Sequence, residues 1–104
     1  MGVHLVTSDA AKAFAAREKV MGRGISLLGI ASSKVKTLDK ATLEQLGDVS
    51  AELVPHALGT TGKLFHVTAR LLWATAGVKE KEAKFVDILE LDKKIEKLEK
   101  KVVG

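Results

Sequence analysis

The sequence predicts an all-α protein: a small bundle of three to five helices that ends in an amphipathic helix with a heptad pattern. Apolar residues recur at helical spacing along most of the chain, and glycines or a proline separate these runs. The length of 104 residues, with 46% hydrophobic and 29% charged residues, suits one globular domain with a single core. Residues 1–78 are expected to form an Ala- and Gly-rich helical body, and residues 79–104 an amphipathic helix of the same domain.

The first helix is predicted from about residue 10 to residue 36. Ser8 or Asp9 can cap it, and the run AAKAFAAREK consists of strong helix formers. Its glycines leave its continuity open, because each costs about 1 kcal/mol relative to alanine in a helix interior. They either break the helix or let a neighbouring helix approach closely, and the sequence favours a break or bend near Gly22–Gly24. The apolar stripe of this segment consists of Phe14, Met21, Ile25, Leu28, Ala31 and Val35.

A second helix is expected between Asp39 and Leu53. Asp39 is a good N-cap, and Leu38 can pack on Leu43 as a hydrophobic staple. Pro55 lacks a backbone donor and disfavours helical geometry at the residue before it, so it predicts an end or kink near Leu53.

The third helix is predicted over residues 63–76, after the turn GTTG. Thr60 or Thr61 can serve as its cap, and Gly77 is a typical stop. The spacing assigns Lys63, His66, Arg70 and Ala74 to its solvent side, with Trp73 at the boundary. Its buried side is expected to contain Leu64, Phe65, Thr68, Leu71, Leu72 and Thr75.

The C-terminal segment is predicted to be helical from about residue 79 to residue 102. Its apolar residues alternate in steps of three and four, the a/d pattern of a coiled-coil seam. This seam spans little more than two heptads, so it docks either on another helix of this chain or on a sister subunit. The lysines here are interleaved with glutamates, and their charges are expected nearly to cancel. The seam residues, which we expect to form the main partner contact, are Ile88, Leu91, Ile95, Leu98 and Val102.

The stretch ALGTTGKLF, residues 57–65, contains most of the pattern of a phosphate-binding loop. Ala57, Gly62 and Lys63 occupy three of the required kinds of position. Leu64 stands where Ser or Thr would hold magnesium, and a helix rather than a buried strand is predicted before the loop. The stretch is therefore interpreted as a turn between helices, and a nucleotide-hydrolysing site is not expected.

One helix face in the third helix is basic. Lys63, His66 and Arg70 follow each other at helical spacing, and Trp73 flanks them. No Asp or Glu occurs from Leu53 to Lys79. These four residues are the candidate contact for phosphates, an anionic membrane or an acidic protein surface.

Several kinds of function are not expected. The chain has no cysteine, which excludes disulfides and thiolate metal sites, and the spacing of His4, His56 and His66 suits no metal. No arrangement of catalytic residues is recognisable, so we predict no enzymatic activity, no cofactor, no metal and no small-molecule substrate. The N-terminal residues lack the pattern of a secretory signal, and no uncharged apolar run reaches the about 18 residues of a membrane span. A location in the cytoplasm or within a particle is favoured.

These features together favour a non-enzymatic structural or assembly subunit. The apolar stripes exceed what one small bundle must bury, so the chain is expected to form a homo-oligomer or to join a larger complex, such as a coat, filament or ring. The alternative is a small binding module for nucleic acid or an anionic membrane, using the basic face of the third helix. Salt dependence separates the two, because phosphate binding weakens steeply with ionic strength whereas an apolar contact does not.

Overall fold

Four α-helices account for most of the protein in the computed structural model. The structure describes the backbone of residues 2–103 and the side chains of residues 9–103. Within that range no strand forms, which agrees with the predicted all-α class. The helices are α1 (Gly2–Ser33), α2 (Lys40–Leu53), α3 (Thr60–Ala76) and α4 (Ile88–Val102), with short 3-10 turns at Val35–Thr37 and Val54–His56.

Helix α1 is continuous, so the predicted break near Gly22–Gly24 is wrong. Gly22 and Gly29 lie on the exposed side, where an added Cβ would meet nothing within 4 Å. Gly24 faces the core, where an added Cβ would lie 2.8 Å from Leu53 Cδ1. The glycine thus permits the close approach of a neighbouring helix, and burial of residues such as Leu27 offsets its low helix propensity.

The predicted apolar stripe of α1 is confirmed in part. Leu28 and Ala31 are buried and Met21 and Val35 pack partly buried on the core, whereas Phe14 and Ile25 are half exposed. Val20 and Leu27, outside the predicted stripe, are buried with Ala31. The buried residues follow steps of seven and four, so they lie on one side of the helix. The largest apolar side chains of α1 therefore do not all point to the core.

The ends of α2 follow local chemistry as predicted. Asp39 Oδ1 accepts a hydrogen bond from the Thr42 backbone N–H at 2.9 Å, which caps the helix. This bond also lowers the pKa of Asp39. At the other end the chain passes into a 3-10 turn that contains Pro55, because proline cannot continue the α-helical hydrogen-bond ladder.

The start of α3 differs from the prediction, whereas its end does not. Gly59 is the N-cap residue with φ at +61°, a conformation that side chains rarely adopt, and no threonine side chain caps the helix. Gly77 ends the helix in the left-handed conformation with φ at +77°. The threonine cap is thus wrong, since a glycine turn already sets the entry angle.

Helix α4 begins at Ile88, not near residue 79 as predicted. The preceding connection, residues 78–87, is held by tertiary contacts that helical i,i+4 pairs do not outweigh. Val86 is buried, and its carbonyl oxygen lies 2.7 Å from His56 Nε2. Asp87 then caps α4 by accepting from the Leu89 backbone N–H.

One hydrophobic core joins all four helices. Helices α2 and α3 share the most extensive contact, and α4 lies against both α1 and α2. The core residues are Val20, Leu27, Leu28 and Ala31 of α1, Leu43, Leu46, Val49 and Leu53 of α2, Phe65, Leu72 and Ala76 of α3, Val86 of the connection, and Leu91, Ile95, Leu98 and Val102 of α4.

Candidate interaction surfaces

The heptad seam of α4 lies inside the protein. Leu91 and Ile95 are fully buried, Leu98 and Val102 nearly so, and Ile88 packs partly buried on the same core. The sequence allowed this seam to dock either on another helix of this chain or on a sister subunit, and in the structure it packs on helices of this chain. A partner contact through these five residues would require α4 to leave the core. Any interface compatible with this fold must lie elsewhere.

The inner face of α3 is set by a close fit against α2. Trp73 lies over Gly47, where an added Cβ would be 2.6 Å from Trp73 Cδ1. Its indole Nε1 donates to Asp48 Oδ1 at 2.9 Å, and Ser50 Oγ donates to the Phe65 carbonyl oxygen at 2.6 Å. Trp73 is only 3% exposed, so its predicted role as a surface ring is wrong. The buried side chains of α3 are Phe65, Ala69, Leu72, Trp73 and Ala76.

The opposite face of α3 is apolar and exposed. Leu64, Val67 and Leu71 are 67%, 52% and 62% exposed. With exposed Ala74 they follow steps of three, four and three, and we call this set the outer α3 seam. The sequence assigned Leu64 and Leu71 to the buried side, which is wrong. Helix α3 has apolar residues on two sides, so periodicity left two candidate faces.

The two edges of the outer α3 seam differ in chemistry. On a helical projection Lys63 and Arg70 lie along one edge, and Thr68 and Thr75 along the other. Arg70 Nε lies 3.4 Å from Glu80 Oε1, and both side chains are more than half exposed. His66 is exposed beyond the basic edge. The structure thus places Lys63, His66 and Arg70 on the surface and Trp73 in the interior.

A shallow groove adjoins the seam on its basic side. It encloses about 370 Å³ between α3 and the start of the connection. Val67, Leu71 and Val78 supply apolar walls, while Arg70 and Glu80 stand at its polar side. The exposed apolar surface therefore extends from the helix into a concave region.

Residues 9–19 of α1 lie outside the core. Every side chain from Asp9 to Lys19 is exposed except that of Ala16, which is half-buried, and the first core residue among residues 9–33 is Val20. The molecule measures 55 Å in its long dimension and 28 Å and 19 Å in the others. A helical segment of this length has little stability of its own. It presents a second surface that a partner can cover.

Polar side chains tie α4 to α1 along one edge and to α2 along the other. On the side of α1, Arg23 forms ion pairs with Asp92 and Glu99, and the hydrogen bond that Arg23 donates to Glu99 is the main cause that raises the pKa of Arg23. On the side of α2, Lys94 Nζ lies 3.0 Å from Glu52 Oε1, and Lys101 Nζ donates to Gln45 Oε1 at 3.1 Å.

The connection is also tied to α2 by charge. Lys81 forms ion pairs with Glu44 and Asp48, and the hydrogen bond to Glu44, followed by that to Asp48, raises the pKa of Lys81. Asp48 Oδ1 thus accepts hydrogen bonds from both the Lys81 ammonium and the Trp73 indole N–H. This network joins α2, α3 and the connection at one point.

The described side chains form no metal-binding group beside these surfaces. Among residues 9–103, no group of three or more His, Asp or Glu side chains is arranged to hold a metal ion. The side chain of His4 lies outside the described residues. Within the described part of the chain, no helix is both long and apolar enough to cross a membrane.

Fold and surface together define a small all-α protein with an uncovered apolar helix face. No protein-family model matches the chain, and no solved structure matches it. A protein of Archaeoglobus fulgidus, described as uncharacterized, is 52% identical over 102 residues, which cover 98% of this chain and 94% of the archaeal protein. The chain belongs to the same family as this archaeal protein.

Proposed function

We propose that the protein is a non-enzymatic assembly subunit that associates with further copies of itself through the outer α3 seam. The observation that carries this proposal is the exposure of Leu64, Val67 and Leu71 on one helix face. Monomeric proteins seldom expose a contiguous apolar patch without a function for it. A second helix with the same spacing covers such a seam in a coiled-coil contact.

The charges at the edges of the seam favour a parallel arrangement of the α3 helices. In a heptad reading Leu64 and Leu71 occupy a positions, and Val67 and Ala74 occupy d positions. Lys63 and Arg70 are then at g, and Thr68 and Thr75 at e. Parallel helices place g against e of the neighbour, so each cation meets a threonine. Antiparallel helices would place g against g and bring the cations of two copies together.

The size of the seam sets the expected strength of the contact. Helix α3 is about 25 Å long and about 10 Å wide. Its outer face alone presents less than the roughly 800 Å² per partner of a standard stable interface. Reversible association is therefore expected, with the exposed segment of α1, residues 9–19, as the further surface that a larger assembly can use.

The mass in solution tests the proposal. Light scattering and sedimentation equilibrium over a range of concentrations should give a multiple of the 11.1 kDa chain. The double variant Leu64→Glu with Leu71→Glu should stay monomeric, because carboxylates are costly to bury without partners. A control with Phe85→Glu and Leu89→Glu, two equally exposed positions outside α3, should associate like the wild type. A wild-type protein that stays monomeric at high concentration contradicts the proposal.

A cysteine crosslink tests the orientation of the helices. The chain contains no cysteine, so Ala74→Cys introduces a single thiol. Parallel α3 helices bring the two d positions within the about 5.5–6 Å Cα separation of a disulfide, whereas antiparallel helices keep them far apart. Oxidation should therefore yield a covalent dimer of Ala74→Cys and none of Gln45→Cys on α2. Efficient crosslinking of both variants would indicate random collision and count against the parallel arrangement.

An anionic membrane is the second candidate for the same face. Lys63 and Arg70 beside an apolar stripe is the pattern of helices that lie in a membrane interface. Cosedimentation with vesicles containing phosphatidylglycerol separates the two candidates. Vesicle binding by a monomeric wild type, lost in Leu64→Glu with Leu71→Glu, would favour the membrane over self-association.

A further inference from the structure

We propose that one end of the bundle binds the phosphate backbone of double-stranded nucleic acid without reading its bases. The site is a group of lysines from the α1–α2 connection, the start of α2 and the last two turns of α4. We call it the basic end, and it consists of Lys34, Lys36, Lys40, Lys97, Lys100 and Lys101. This proposal does not depend on self-association, because the basic end and the outer α3 seam share no residue.

The fold brings these three segments together. Lys34 Nζ donates to the Val102 carbonyl oxygen at 3.1 Å, which joins the α1–α2 connection to the end of α4. Lys101 Nζ donates to Gln45 Oε1, which joins the end of α4 to the first half of α2. All six lysines of the basic end are exposed. Residues far apart in sequence thus form one cationic surface.

Two of the nearby carboxylates have partners outside the basic end. Asp39 caps α2 through the Thr42 N–H, and Glu99 pairs with Arg23 on the opposite edge of α4. Among residues 9–103, no ion pair involves a lysine of the basic end. The glutamates of α4 therefore cancel the charge of these lysines only in part, because Glu99 pairs with Arg23 whereas Glu96 lies one turn before Lys100 on the same side of the helix.

Lys40 lies at a position where a cation destabilises its own helix. It is the first residue of α2, and no acidic residue occurs in the first turn of that helix. A cation at this position is unfavourable because the N-terminus of a helix is itself the positive end of its dipole. Lys100 and Lys101, by contrast, complement the C-terminus of α4. Helix stability therefore explains the lysines of α4 but not Lys40.

The chemistry of the basic end suits nucleic acid better than a membrane. Membrane-surface binding combines cations with apolar side chains that enter the lipid. Here Val35 and Leu38 are partly buried against the protein core, and Val103 at the end of α4 is a single exposed aliphatic side chain beside the lysines. Lysines without exposed aromatic neighbours suit the phosphates of a duplex, whose contacts are electrostatic and independent of sequence. A groove of about 550 Å³ between α2 and α4 adjoins this surface, and Lys97, Lys100 and Lys101 line it together with Asp48 and Glu52, which pair with Lys81 and Lys94.

Binding to a mixed-sequence duplex tests the proposal with a matched pair of variants. Fluorescence anisotropy with a labelled duplex of about 20 base pairs should show wild-type binding that weakens steeply with salt. Lys36→Glu with Lys40→Glu should weaken binding at least about tenfold and reduce the salt slope by about two. Lys63→Glu with Arg70→Glu changes the net charge equally but on α3, and should change binding less than about twofold.

The first variant is expected to fold, because glutamate at position 40 suits the positive end of α2. Circular dichroism and a thermal melt verify this before binding is measured. If both variants weakened duplex binding equally, the loss would follow from net charge rather than from the basic end, and this would overturn the proposal. So would a larger loss from the α3 variant, an absence of wild-type binding at low salt, or binding to phosphatidylglycerol vesicles without binding to the duplex.

Discussion

Two seams with the same spacing have opposite positions in this protein. The seam of α4, with Leu91, Ile95 and Leu98, lies in the core, whereas the outer α3 seam, with Leu64 and Leu71, faces solvent. Both follow steps of three and four residues. The α4 seam is flanked by charged residues on both sides, so α4 has one apolar face to bury. Helix α3 has two, and only one of them can meet α2.

The comparison shows what a periodic pattern does and does not determine. Periodicity identifies which residues share a face of a helix. Which chain covers that face depends on contacts between distant residues, such as Trp73 on Gly47 and Val86 beside His56. The heptad of α4 was a correct sign of burial and not a sign of a partner. The partner surface is instead expected where a helix retains an apolar face after its own core is filled.

Truncation of one residue in each seam gives the largest expected contrast. Ile95→Ala should destabilise the fold by about 2–5 kcal/mol, since it leaves a cavity in a fully buried site. Leu71→Ala should change the stability of the monomer by no more than about 0.5 kcal/mol. Urea unfolding at low protein concentration, where association does not contribute, measures both. A comparable loss in Leu71→Ala would place the outer α3 seam in a core and end the contrast between the seams.

A smaller effect is expected at the contact between Trp73 and Gly47, which determines the face of α3 that packs on α2. Gly47→Ala places a Cβ 2.6 Å from Trp73 Cδ1 and 2.7 Å from Trp73 Nε1, so the indole must move. The cost should be about 1–3 kcal/mol, as for overpacked cores. Because Trp73 is the single tryptophan, its fluorescence should shift to the red as it gains exposure.

Gly29→Ala on α1 is the matched control. An added Cβ there meets nothing within 4 Å, and alanine favours the helix by about 1 kcal/mol. Its thermal melt should therefore occur at a higher temperature than that of the wild type, with unchanged fluorescence. If Gly47→Ala were as stable as the wild type, the close packing of Trp73 on Gly47 would not be what determines which face of α3 is buried.

The parts of the fold that the sequence could predict are those with local causes. Asp39, Pro55 and Gly77 act on the backbone within a few residues, and the ends of α2 and the end of α3 lie where they indicate. The continuity of α1 could not be predicted in this way. The cost of Gly24 is local, but the contact with Leu53 that offsets it is not.

The same distinction applies to the surfaces. Spacing places Lys63, His66 and Arg70 on one side of a helix, and the structure has all three exposed. Trp73 was misplaced because its partners, Gly47 and Asp48, lie on another helix. The basic end was missed for a similar reason, since Lys36 and Lys100 are separated by most of the chain. Reading the charges of α4 by helix face would have separated its lysines from Glu99.

The smallest expected effect concerns the connection that carries the chain to the α4 seam. Lys81 holds this connection to Glu44 and Asp48, and these contacts raise the pKa of Lys81 above its ordinary value of 10.5. A raised pKa in the folded state means that the stabilisation is complete below pH 10.5 and is lost as the pH rises through the folded-state pKa. Since the side chain is 37% exposed, solvent screening limits the stabilisation by these ion pairs to about 0.2–1 kcal/mol.

Thermal melts of the wild type and Lys81→Gln should therefore differ by a small constant amount up to pH 10.5 and converge above it. Lys84→Gln, on the same connection but without an ion pair among residues 9–103, should match the wild type throughout. A difference that grows with pH would show that the ion pairs of Lys81 do not hold the connection against α2.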